Sequence, residues 1–266
     1  LMGAVSGYMA AVNTQNLALS FLVVLLVGAV FGLAFAFLTV TLQADQTVCG
    51  MAMLTFGTGL SGFLGKDVAG VAANLRFEDL PIPGLSRIPF IGPVFFSQNL
   101  LVYAMYIIVP LSLFYIYRTR QGLYLRALGE NPAALDSAGM NVFAMRYAYV
   151  IFGCMMISIS GACVSLANTN FWSSGMTAGK GWIAFALVAF SSWNPWKLTL
   201  GALLFGFISC LGSNLQIYLP GIPTEIFSAL PYIATIVAFI LATGNFRKVH
   251  TAQPAALGKP YDREAR

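Results

Sequence analysis

Charge is scarce in this chain: Asp, Glu, Lys and Arg together make up 9% of 266 residues, and there is one histidine. Soluble domains carry about 25% charged residues, so a water-facing globule is excluded. His250 stands alone in a polar C-terminal stretch, without the partners that metal ligation or a proton relay requires. Cys49, Cys154, Cys163 and Cys210 lie in apolar runs at unrelated spacings. That pattern indicates neither a zinc site nor a disulfide framework, and the four read as small buried hydrophobes. Hydrolytic motifs of the His-Glu-x-x-His and Gly-x-Ser-x-Gly types are missing, so neither catalytic residues nor metal ligands are expected. Gly59-Leu-Ser-Gly-Phe-Leu-Gly-Lys66-Asp67 imitates a phosphate-binding loop, but Leu60 stands where the first Gly belongs and Asp67 where Ser or Thr would hold magnesium. ATP is not bound by that route.

What is abundant is apolar surface, 58% of residues, with a mean hydropathy of +0.79. Helices satisfy their own backbone groups where no water can reach, so apolar runs of about 20 residues read as spans of a lipid bilayer. The fold class expected is all-α, a polytopic transmembrane helix bundle with about seven spans plus a partial N-terminal helix. The spans fall at roughly 19–42, 48–64, 99–117, 147–167, 181–194, 197–217 and 226–245. The run 181–194 is short enough to be broken or tilted. Long unbroken runs argue against an outer-membrane barrel, whose strands alternate. Leu1 to about Val12 is too short to span and lacks a signal peptide's basic start and cleavage site, so it reads as the end of a longer helix.

The formal charge of +5 would suit nucleic acid, but in a membrane chain the placement of Lys and Arg counts for more, and no nucleic-acid partner is expected. Arg118, Arg120, Arg126, Arg146, Lys197, Arg247, Lys248, Lys259, Arg263 and Arg266 fall on one face. Only Lys66, Arg76, Arg87 and Lys180 fall on the other. That bias puts the 118–146 loop and a 247–266 tail in the cytoplasm and the 65–98 loop outside, within a transmembrane domain spanning 1–246. The outer loop, with Pro81, Pro83, Gly84, Pro89, Gly92 and Pro93, reads as structured, with one short amphipathic turn.

Small residues recur at helix-packing spacing in Gly3-x-x-x-Gly7 and Gly28-x-x-x-Gly32, with Gly57, Gly59 and Gly62 in the next run, so generic helix packing is the expected use. Pro110 and Pro231 inside apolar runs either free carbonyls toward a cavity or only bend the helix path. The span cores carry no ionisable side chain: Asp45, Lys197 and Glu225 all sit at edges. Proton-driven carriers keep such groups at membrane depth, so energy is expected to come from outside the chain. Sodium coupling through backbone carbonyls stays open.

The polar island from Arg118 to Arg146 has no packing reason to exist in so apolar a chain, which points to a docking partner. Leu123–Leu128 is helical in character, and Gly129-Glu130-Asn131-Pro132 reads as a break, because Pro132 turns Asn131 away from helix. A very short helix then starts with Asn131 as N-cap and Pro132 in its first turn, and stops at Gly139.

Arg126-Ala-Leu-Gly-Glu-Asn-Pro-Ala-Ala-Leu-Asp-Ser-Ala-Gly-Met-Asn141 resembles the coupling loop of ABC importer permeases of the branched-chain amino acid and simple-sugar type. Thr177-Ala-Gly-Lys-Gly-Trp182, Trp193-Asn-Pro-Trp196, Gly201-Ala-Leu-Leu-Phe-Gly206 and the tail Pro254-Ala-Ala-Leu-Gly-Lys-Pro-Tyr-Asp-Arg-Glu264 are similar to the smaller permease of bacterial nucleoside uptake systems. Family members begin with a further hydrophobic segment upstream of the Leu1-Met-Gly-Ala4 seen here. The resemblance implies a multi-pass subunit of a bacterial inner membrane with a cytoplasmic C-terminus. Its implied partners are a second permease subunit, ABC ATPase subunits, an extracytoplasmic substrate-binding lipoprotein and the lipid bilayer. No cofactor is expected on this chain, while ATP and Mg belong on the partner ATPase. In this picture Arg126, Gly129, Glu130, Asn131, Pro132, Ala138 and Gly139 couple the chain to the ATPase, with Arg126 and Arg146 anchoring the flanks. Simple sugars or other small polar metabolites are the alternative cargo, and an ion-coupled carrier or channel is the alternative class.

Amides and aromatics suit a planar base and a ribose, which makes Asn168, Phe171, Trp182 and Asn214 candidates for a substrate pathway. An interfacial aromatic belt explains the Trp residues equally, and Asn214 equally suits a bond between helices.

Overall fold

A computed structural model of the chain describes residues 1–71, 77, 79–84, 86, 92, 95–177, 179–219, 221, 223–243 and 253–263. Arg76, Arg87, Pro89, Pro93, Arg247, Lys248, His250, Glu264 and Arg266 lie outside the described residues. The chain is helical nearly throughout: α1 (Met2–Thr14), α2 (Leu17–Ala36), α3 (Gln46–Leu64), α4 (Leu100–Arg118), α5 (Arg120–Glu130), α6 (Pro132–Ser137), α7 (Val142–Cys163), α8 (Lys180–Phe190), α9 (Pro195–Tyr218) and α10 (Thr224–Thr243). π-helical turns, Phe37–Thr41 and Val164–Asn168, lengthen α2 and α7.

Among the described residues five helices are long and apolar enough to cross a membrane: Leu17–Thr41, Gln46–Leu64, Leu100–Arg118, Val142–Asn168 and Pro195–Tyr218. This is a multi-pass membrane protein, and its helices match the expected runs. α8 and α10, at the expected runs 181–194 and 226–245, are not among the five, and α8 is the shorter of the two. Its 11 residues extend roughly 16 Å at 1.5 Å per residue, about half of a 30 Å hydrocarbon core. Asn194 and Pro195 impose the stop, because Asn194 Oδ1 accepts from Trp196 N at 3.0 Å and begins α9. Asn16, Asp45 and Asn141 cap α2, α3 and α7 in the same way, each accepting from backbone N–H groups of the first turn.

The chain divides into two compact units, Leu1–Ile107 with Tyr124–Ala178 and Ala256–Arg266, and Ile108–Leu123 with Gly179–Ala255. In the first, the 13 residues of α1 are enclosed by α2, α3 and α7, with Ala4, Val5, Tyr8 and Ala11 fully buried. Small residues make that enclosure possible. A Cβ on Gly3 would overlap the backbone carbonyl of Ser158, one on Gly28 would stand 2.8 Å from Met155 Cα, and one on Gly32 2.8 Å from Ile151 Cα. The helix backbones therefore touch, as the spacing of these glycines implied. A Cβ on buried Gly57 would meet Met2 Cγ at 3.7 Å and one on Gly62 would meet Ser174 Oγ at 3.7 Å, ordinary contacts, while Gly59 faces open space, so helix backbones do not touch at the third glycine run. Ser165 Oγ, fully buried, donates to Ala4 O at 2.9 Å and fastens α7 to α1.

The 65–98 region holds more than one short turn. Lys66–Val68 forms a 3₁₀ turn, and two three-residue strands, β1 (Asp79–Pro81) and β2 (Ser97–Asn99), pair antiparallel with Leu80 opposite Gln98. Tyr103 at the start of α4 pins them, its hydroxyl donating to Leu80 O at 2.9 Å and accepting from Gln98 N at 3.2 Å. Strands this short carry too little alternation to read from sequence. The phosphate-loop imitation is absorbed mostly by α3, and Lys66 Nζ lies 5.6 Å from the centre of the Phe63 ring. Of the cysteines, Cys49 is buried, Cys154 and Cys163 are half-buried and Cys210 is exposed, so a core role does not extend to Cys210.

In the second unit α8, α9 and α10 pack together. Pro231 cannot donate to Phe227 O, and that carbonyl lies against α9, 2.9 Å from where a Cβ on Gly212 would stand. The freed carbonyl serves helix packing rather than a cavity.

Candidate functional site

α5, α6 and the first turn of α7 form one small folded element. Leu128, Leu135 and Val142 are its buried centre, ringed by Tyr124, Ala127, Met140, Met145 and Tyr149. The break before α6 is narrower than the sequence suggested: α5 runs through Gly129 and Glu130, and only Asn131 leaves the helix, with φ −146° and ψ 88°. Pro132 constrains only its immediate predecessor, so Gly129 and Glu130 are free to complete the last turn. Asn131 N donates to Ala127 O at 2.8 Å, closing α5, while Asn131 Oδ1 accepts from Ala134 N at 3.1 Å, opening α6.

α6 ends in a Schellman pattern, Gly139 N donating to Asp136 O at 2.9 Å and Met140 N to Leu135 O at 3.3 Å. That pattern needs a left-handed residue, and Gly139 supplies it at φ 83°. A six-residue helix is marginal on its own, so α6 persists through these two caps and the burial of Pro132 and Leu135. Asn131→Ala is expected to remove about 1 kcal/mol of local stability, read as faster amide exchange in Ala133–Ser137, with Asn131→Asp close to wild type.

Residues 256–263 lie on this element. Arg263 Nε and Nη2 donate to Asp136 Oδ2 and Oδ1 at 2.8 and 2.9 Å, a two-pronged ion pair. The hydrogen bond to Asp136 and the carboxylate charge raise the Arg263 pKa above its ordinary value. Ala256 N donates to Gly129 O at 2.8 Å, and the Tyr261 ring packs 5.8 Å from that of Phe143. Arg146 serves this tail: its Nη1 donates to Lys259 O at 3.2 Å and its guanidinium lies 5.7 Å from the centre of the Tyr261 ring. A cleft of about 220 Å³ opens between Asp136, Gly139, Met140, Asn141, Phe143 and Arg263.

Of the residues singled out by sequence, Arg126, Glu130, Asn131, Ala138 and Gly139 are exposed together on this element, Gly129 is half-buried and Pro132 is buried. The pathway candidates are dispersed along the chain. Asn168 is exposed at the end of the π-helical turn of α7, and Phe171 is 44% exposed. Trp182 in α8 is also exposed, and Asn214 in α9 spends its amide on its own helix, donating from Nδ2 to Cys210 O at 2.8 Å. Trp172, which the sequence leaves as one of the belt aromatics, is instead 1% exposed, with its ring packed so closely on Gly65 that a Cβ there would overlap it. The tail residues Tyr261 and Arg263 were missed as partners of α6, since nothing in their sequence context names Asp136 across 127 positions.

The family described as "Branched-chain amino acid transport system / permease component" matches residues 1–239. The chain belongs to this permease family. Relatives of the permease include TsgC13 of Haloferax volcanii, provisionally named a glucose ABC transporter permease, which is 34% identical over 285 residues and covers 99% of this chain and 87% of its own. The nucleoside ABC transporter permease NupC of Lactococcus lactis is 35% identical over 234 residues, covering 85% of this chain and 74% of the relative. The guanosine ABC transporter permease NupQ of Bacillus subtilis is 34% identical over 254 residues, covering 91% and 77%. No solved structure matches the permease.

Proposed function

We propose that this permease is the membrane-spanning subunit of an ATP-driven importer of nucleosides, and that α6 with its flanks carries the stroke of a partner ATPase into the membrane helices. One observation supports the coupling role above others: α6 is a six-residue helix closed by caps at both ends and joined through Asn141 directly to the span α7. A rigid knob on the end of a spanning helix is the arrangement that turns a push into a change of span position, the bistable rigid-body motion of alternating access. Arg126, Glu130, Asn131, Ala138 and Gly139 present the surface of the knob, and Pro132 anchors it from below. Hydrolysis, with ATP and Mg, is assigned to partner ATPase subunits. A second permease and an extracytoplasmic binding lipoprotein complete the machine. The Lys and Arg bias supports a cytoplasmic α6 and C-terminus, and the family resemblance supports a bacterial inner membrane.

The nucleoside cargo follows the names of two relatives, one for nucleosides and one for guanosine, while the glucose name of a third supports simple sugars as a second reading. Asn168 and Phe171 suit a base and ribose by chemistry, the ring offering a stacking face and the amide a polar edge.

The test is uptake of labelled purine and pyrimidine nucleosides, with ribose and glucose for comparison, in vesicles holding the permease, its second permease, the ATPase and the binding protein. Nucleoside uptake that disappears without ATP is expected. Sugar uptake alone would replace the cargo, and uptake by this chain without the ATPase would overturn the importer.

A further inference from the structure

We infer that residues 256–263 are a strap that fixes α6 in position, so that the ATPase moves α6 and α7 as one body instead of bending the connection between them. The inference rests on the reading of α6 as the coupling helix. The strap lies beyond residues 1–239, the stretch matched by the family.

Its contacts follow the element from end to end. Ala256 N holds Gly129 O at the end of α5, and Arg263 grips Asp136 in the last turn of α6 with both prongs. Tyr261 packs on Phe143 and beneath Arg146 in the first turns of α7. Gln43 Nε2, in the connection between α2 and α3, donates to Tyr261 O at 3.2 Å. The strap thus joins α5, α6, α7 and the connection after α2.

Apart from the strap, α6 is joined to α7 by residues 138–141 and packed on it through the small cluster around Leu135. Gly139 in that connection is the natural hinge, because no side chain restricts it. The ion pair is asymmetric in exposure, with the Arg263 side chain 68% exposed and that of Asp136 9%. Exposed charges are screened by salt and contribute little alone, so the pair sets direction while the half-buried Tyr261 ring supplies packing. Arg263 and Tyr261 are positioning residues: they act through α6.

The experiment compares wild type with the Tyr261→Ala, Arg263→Ala double variant in two measurements. In the full chain alone, reconstituted in lipid, amide exchange of Ala133–Met140 is expected to quicken by about tenfold in the variant, as local opening becomes easier. In the assembled complex, substrate transported per ATP hydrolysed is expected to fall at least about threefold, since a loose lever wastes strokes. The charge-exchanged pair Asp136→Arg with Arg263→Asp is expected to recover most of the exchange protection that Arg263→Asp alone loses. Unchanged exchange in the double variant overturns the strap. Transport and hydrolysis falling in equal proportion also overturn it as a coupling device, because a purely structural defect lowers both together. A wild-type complex without ATP-driven uptake would instead sink the importer reading, and the strap would then be judged by exchange alone.

Discussion

Gly139→Trp is expected to abolish ligand-stimulated ATP turnover and uptake in the assembled importer, while Gly139→Asn retains most of both. Gly139 sits at φ 83°, a conformation that costs an ordinary L-residue roughly 1–2 kcal/mol and that Asn adopts more readily. A Cβ at this position meets nothing within 4 Å in the chain. The Trp ring would therefore point into space that the permease leaves open, and its own fold would suffer only the backbone penalty. If α6 seats in an ATPase cleft, that open space is the partner's. A misplaced indole would then cost the interface well over the ~1.4 kcal/mol that corresponds to a tenfold loss. Gly139→Ala separates the two effects, because Ala pays the ordinary backbone cost without the bulk. Ligand-stimulated turnover that survived Gly139→Trp would remove α6 from the coupling path.

The α6 helix was legible because its signals are local. Asn131, Pro132 and Gly139 act on their own backbone or on one three residues away, so their chemistry is written in consecutive letters. Hydropathy gave the spans for the same reason, and Gly3, Gly7, Gly28 and Gly32 announced close helix approach without naming the partner helix. Long-range pairings stayed hidden. Arg146 was legible as a cation beside the loop, yet its partner proved to be the tail, and the ion pair of Arg263 with Asp136 joins residues 127 positions apart. Trp172 against Gly65 is hidden for the same reason, since a Trp near a membrane edge fits an aromatic belt as well as a buried plug. β1 and β2 escaped because three residues are too few to show a period.

Gly28→Leu and Gly32→Leu should each prevent normal packing of the first unit, a large effect on stability. In lipid no hydrophobic force draws helices together, so their association depends on close approach of backbones. At Gly28 an added Cβ would stand 2.8 Å from Met155 Cα and 2.9 Å from Ser158 Cβ, and at Gly32 2.8 Å from Ile151 Cα and 2.9 Å from Cys154 Cβ. The nearest of these atoms belong to the α7 backbone, which cannot rotate away as a long side chain can. Leu would have to push α2 and α7 apart along their main contact, at a cost of about 1–3 kcal/mol per site by analogy with overpacked cores. The two sites are one helical turn apart and share α7, so the double variant should not behave as a simple sum. Gly59→Leu is the control, because its Cβ meets nothing and Leu favours helix over Gly, by somewhat less than the about 0.8–1 kcal/mol that separates Ala from Gly. Thermal unfolding in lipid discs reads the difference: the Gly28 and Gly32 variants should melt well below wild type and the Gly59 variant should not. Equal midpoints would mean that α2 and α7 do not meet through these glycines. If α6 is the coupling helix, coupling depends on the same seam, because α7 follows α6 directly and meets α2 through Ile151, Met155 and Ser158, so that a stroke applied to α6 would reach α2 only if that contact is tight.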